Sequence, residues 1–212
     1  MTLMASCTTL QYKQQEQKVL PELGTIGMYA DYLLENDHQS KTVVSLTEPV
    51  RLQVSEVRIS KRELFTKEGE TKADSIHLSL EILDKIGLVH QMNSNLELLK
   101  YLKRADGYEL VTQVNVYFPA EIRSQITASD EVYLVQNKER TLSLELRNDN
   151  VIAGTVEFTQ GNITRFKAAS FCWGKGDRGR IEIFDLIPSG AACSEDTYRT
   201  ARKAEKKNEF KF

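Results

Sequence analysis

The stretch Ile76-His77-Leu78-Ser79-Leu80-Glu81-Ile82 decides the fold class. Apolar residues stand at every second position, and the pattern lapses only at Leu83. A period of two belongs to a half-buried β-strand, because successive side chains point to opposite faces of a sheet. A helix from Asp74 to Val89 is the competing assignment: its apolar residues would also cover one broad face, but Gly87 weakens its end. His77 and Glu81 share the polar side of the strand, which reads as a solvated sheet face.

Working outward, Asn93 or Ser94 is placed to cap a helix running to about Ala105. Leu98, Leu102 and Ala105 mark one side of it, Leu99 and Tyr101 flank that side, and Asp106-Gly107 ends it. Strand-like runs follow from Tyr108 to Phe118, Asp130 to Gln136, Arg140 to Leu146 and Val151 to Thr159, with Asn148-Asp149-Asn150 as the last turn. Residues 164–173 and 180–187 read as further strands, joined by a loop holding Gly174, Gly176 and Gly179. Upstream, residues 13–37 suggest two helical pieces interrupted by Pro21 and Gly24. Thr42 to Leu64 alternates as a strand does, with a bend or edge position at Pro49. The plan is α+β, an antiparallel sheet with a helix on one face. It divides into an N-terminal extension (1–70), a main domain (71–190) and a polar, basic tail (191–212).

The 212 residues carry a formal charge of -2, without the basic surplus of a dedicated nucleic-acid binder, so no nucleic-acid partner is expected. The three cysteines, Cys7, Cys172 and Cys193, are odd in number and far apart. They fit a reducing compartment and read as neither a disulfide framework nor a zinc site, and a cytoplasmic protein is expected. No Cys-x-x-Cys and only three histidines leave no basis for a metal or cofactor. Neither a signal-peptide pattern nor an apolar run of membrane-spanning length stands out, so no membrane partner is expected. The run Trp173 to Arg180 matches neither the P-loop nor the dinucleotide fingerprint, and reads as a hairpin loop or a phosphate cradle. Arg202, Lys203, Lys206 and Lys207, diluted by Glu205 and Glu209, solubilise the tail or meet an acidic partner.

The order of elements, with Asp84-Lys85-Ile86-Gly87-Leu88-Val89 followed by Asn93 and a leucine-bearing helix, resembles the hotdog fold of the 4-hydroxybenzoyl-CoA thioesterase-like family. In that fold a curved antiparallel sheet wraps a central helix. The likeness covers about residues 75–160. Ile82 and Ser94 depart from the family's pattern, which often has an aspartate and a tyrosine there.

The resemblance implies hydrolysis of an acyl thioester of coenzyme A or of an acyl-carrier protein. Such a reaction needs a carboxylate or other base near the carbonyl carbon, a donor for the oxyanion and a channel for the acyl chain. Asp84 is then the nucleophile or general base, and Gly87 lets the ligand approach the backbone. His90 polarises the carbonyl or shuttles a proton, amides around His90 and Gln91 bind the oxyanion, and Asn93 assists. The structural alternatives are a turn residue for Asp84, a packed or exposed histidine for His90 and a helix cap for Asn93. The functional alternative is a non-catalytic hotdog protein that binds an acyl ligand or serves regulation or assembly. A homodimer or larger oligomer is expected, because joining two such sheets covers their edges.

Overall fold

The computed structural model of the chain describes residues 20–28, 42–59, 75–176 and 179–206. The alternation at Ile76–Ile82 forms strand β4, Ser75–Ile82, with Leu78, Leu80 and Ile82 in the core. Its neighbours are β3 (Val50–Ile59) and β5 (Tyr108–Tyr117). Leu80 lies opposite Val54 on one side and Val114 on the other, so the apolar positions of three strands share a face.

Strands β1 (Thr25–Met28), β2 (Thr42–Val43), β6 (Glu131–Gln136), β7 (Leu142–Asn148), β8 (Val151–Glu157), β9 (Asn162–Lys175) and β10 (Ile181–Pro188) complete the sheet. Its order is β10-β9-β5-β4-β3-β6-β7-β8, with β1 beside β5 and β2 beside β1, and the pairings are antiparallel. The α+β plan with a large antiparallel sheet is therefore present.

Two short helices stand where one was expected: α1 (Lys85–Ser94) and α2 (Leu96–Arg104). Asn95 separates them. Its carboxamide oxygen accepts from the Leu98 N–H at 3.0 Å, so Asn95, and not Asn93 or Ser94, caps α2. Leu98, Leu99 and Leu102 are buried, which closes the amphipathic side seen in the sequence. Helix α1 packs on β10, while α2 packs on α1 and on the terminal helix α4 (Ala201–Lys206). The strand under α1 is thus one that lies beyond the 75–160 stretch behind the hotdog comparison.

Other expectations change. Thr25–Met28, placed in a helical piece, is a strand: Gly24 turns the chain at φ 82°, and Ile26 pairs with Leu110. Residues 13–19 and 29–37 of the expected helical pieces, the turn at 67–70 and Cys7 lie outside the described residues. Helix α3 (Ala120–Ala128) fills a gap between two expected strands, following Pro119, whose fixed φ suits a helix start. Within the tail, residues 191–206 are described and include the helix α4. Ala201 and Ala204 are buried, and Tyr198 pairs with Trp173 through backbone bonds of 2.8 and 2.7 Å. A disulfide joins Cys172 to Cys193 and ties this segment to β9, against the expectation of no disulfide framework. Leu23, Ile26 and Val44 from the nominal extension and Ala201 and Ala204 from the nominal tail belong to one hydrophobic core with the central strands. Among the described residues, no helix is long and apolar enough to cross a membrane.

Candidate functional site

Asp84 is the N-cap of α1: its Oδ1 accepts from the Gly87 N–H at 2.8 Å, and the residue is exposed. An aspartate three positions before a glycine is thus an Asx-type cap that satisfies one orphan helix donor. Gly87 serves the same turn. A Cβ there would lie 2.2 Å from Asp84 Oδ2, so the missing side chain makes room for the cap.

Gln91 and Asn93 leave α1 on different sides and clamp it. Gln91 Oε1 accepts from the backbone N–H groups of Thr47 and Glu48 at 2.9 and 3.1 Å, and its Nε2 donates to Glu48 O at 3.2 Å. Asn93 Nδ2 donates to Ile183 O at 2.7 Å, and its Oδ1 accepts from Ile183 N at 2.9 Å. Ile183 sits where the β9–β10 register shifts, on a strand that ends the sheet order. The carboxamide thus supplies a donor and an acceptor to a sheet edge, as a neighbouring strand would. His90 is exposed, and its carbonyl accepts from Ser94 Oγ at 2.9 Å. It stands six positions along the helix from Asp84, a rise of about 9 Å, so the two side chains do not form one acid–base pair.

A second constellation was missed in the sequence. His77 is buried, 5% exposed, where a solvated face was expected. Its Nε2 is 2.9 Å from Ser75 Oγ, and its Nδ1 is 3.1 Å from Thr164 Oγ1. Thr164 donates its one hydroxyl proton to Asn115 O at 3.2 Å. With that proton placed on Asn115 O, Thr164 accepts from His77, the ring is the Nδ1–H tautomer, and Nε2 accepts from Ser75. Thr164 is the extra residue of a β-bulge: Asn115 pairs with Arg165 and Val116 with Ile163. A bulge re-aims a side chain, here toward β4. Burial, followed by the nearby charge of Arg165, holds the His77 pKa below its ordinary value, so the ring is neutral near pH 7. The Tyr117 ring lies 5.5 Å away and is tilted.

The i, i+2 spacing of Ser75 and His77 stands in the sequence as a signal that was not read, whereas a bulge bringing Thr164 from 87 positions away leaves no local signal. A cleft of about 370 Å³ between β3 and the turn from α3 into β6 is lined by residues of neither constellation. Among the described residues no cluster of His, Cys, Asp and Glu is arranged to hold a metal ion.

No protein-family model, curated protein or solved structure matches the chain.

Proposed function

We propose that the Asp84–Ser94 segment is a binding and assembly element, in a sheet-plus-helix protein of hotdog type that acts on its acyl ligand by holding it. One observation carries this reading: the polar side chains of Asp84, Gln91 and Asn93 are all engaged in capping and docking α1. The apolar surface for a ligand or a second copy of the chain lies around the helix starts, where Leu83, Ile86 and Leu96 are 54, 86 and 63% exposed. A homodimer is part of the proposal, since burying such residues is a driving force for association. The Cys172–Cys193 pair favours an oxidising compartment over the cytoplasm.

Hydrolysis of an acyl thioester is the alternative, with Asp84 released from its cap to act as base. Titration with a long-chain acyl-CoA, together with sedimentation, tests the proposal. Saturable binding by a dimer, with any release of free thiol the same in the wild type and Asp84→Asn, is the expected result. A monomer at micromolar concentration that takes up no acyl ligand contradicts it.

A further inference from the structure

We propose that Ser75 is a nucleophile toward activated esters and thioesters, with His77 as its base and Thr164 as the residue that orients the base. This site stands apart from the helix starts, and either assignment can fail without the other.

The contacts form a directed chain. Ser75 Oγ lies 2.9 Å from His77 Nε2, His77 Nδ1 lies 3.1 Å from Thr164 Oγ1, and Thr164 Oγ1 donates to Asn115 O at 3.2 Å. A nucleophile bonded to a base that is held by a third group is the arrangement that activates a hydroxyl. A threonine fixes the ring without adding a negative charge, so it orients the base but does not stabilise an imidazolium as a carboxylate would. Ser75 is partly exposed and Tyr117 is exposed, and the Tyr117 ring lies beside the His77 ring as an apolar surface. The positive charge of Arg165 near the ring suits an acyl group carried on an anionic leaving group.

In the step, Ser75 Oγ attacks the carbonyl carbon while its proton passes to His77 Nε2. The tetrahedral intermediate collapses as the C–O or C–S bond breaks, and the leaving alkoxide or thiolate takes the proton from Nε2. Water then attacks the acyl-serine, giving a proton to Nε2. That proton returns to Ser75 Oγ as the carboxylic acid departs.

The test is labelling of the full oxidised chain with an alkyl fluorophosphonate, read by intact mass and peptide mapping. The expected result is one adduct, on Ser75, formed at least about 10²-fold faster than on a blocked serine amide, which is the lower end of what a general base supplies. Ser75→Ala abolishes it. Thr164→Val slows it, and Thr164→Ser restores it, which a role in packing the bulge alone would not produce. His77→Gln, checked for its fold by circular dichroism, loses the acceleration. If that variant does not fold, the rate on the wild type and the Thr164 pair decide. No adduct on Ser75, or one formed no faster than on the serine amide, overturns the proposal.

Discussion

Asp84 and Gly87 form one capping unit: the carboxylate takes the glycine N–H at 2.8 Å, and the glycine leaves the space the carboxylate occupies. Gly87→Ala therefore acts on Asp84. The new methyl displaces the carboxylate from its cap, and the expected loss is that of an N-cap, about 0.5–2 kcal/mol. Chemical denaturation of the variant beside Asp84→Ala checks this. The two losses are expected to be similar, and the double variant is expected to lose little more than either, because both remove the same bond.

Asn93→Ala removes both bonds to Ile183 and leaves a strand edge without its cover. A half-buried donor and acceptor lose their partner at once, so the expected cost is about 1–3 kcal/mol. Hydrogen exchange is the direct readout: protection across Ile181–Pro188 is expected to fall before that of Ser75–Ile82 in the sheet centre.

The sheet was legible in the sequence because its signal is local. Leu78, Leu80 and Ile82 alternate with polar residues, and periodicity of that kind survives any choice of partner strand. The amphipathic run Leu98, Leu99 and Leu102 was legible for the same reason. What was not legible depends on distant partners. His77 looks like a solvated residue until Thr164 and Tyr117 are brought over it. Asn93 looks like a cap, but its carboxamide meets Ile183, 90 positions on, while the cap falls to Asn95. Cys172 and Cys193 carry no spacing motif, and only the return of the tail to β9 brings them together. The Asp-x-x-Gly motif was visible, but the same spacing suits a helix cap as well as a catalytic turn, and the geometry of Gly87 favours the cap.

His77 makes stability depend on pH in a defined direction. Its folded pKa lies below the ordinary histidine value of about 6.5, chiefly through burial and then through Arg165. The unfolded chain therefore binds the proton more readily, and stability rises with pH across the window between the two values. The contribution is fully present above about pH 6.5, near the unfolded histidine pKa, and is lost as pH falls toward the folded pKa. Denaturation midpoints of the wild type and His77→Gln across mildly acidic pH test this. The gap between them is expected to narrow as pH falls, while a constant gap would mean that the ring's protonation is not linked to folding.

Reduction of Cys172–Cys193 is expected to loosen the terminal segment. The bridge spans 21 residues of sequence, and closing a loop of about that size stabilises by about 3 kcal/mol in the chain-entropy account. Thermal melts with and without reductant check this: the wild type is expected to shift down on reduction, and Cys193→Ser to melt alike in both. Fluorescence of Trp173, the only tryptophan of the chain and a neighbour of the bridge, is expected to change with the same treatment.

The central claim, that Asp84 holds a helix and performs no chemistry, is tested most directly by acyl-CoA turnover and melting of the wild type beside Asp84→Asn. Asparagine is a good N-cap, so the variant is expected to melt close to the wild type. Its release of free thiol from any acyl-CoA is expected to match the wild type's, whether that rate is measurable or at background. A fall in turnover of about 10²–10⁴-fold, the size of a lost general base, with an unchanged melt would contradict the account and return Asp84 to the reaction.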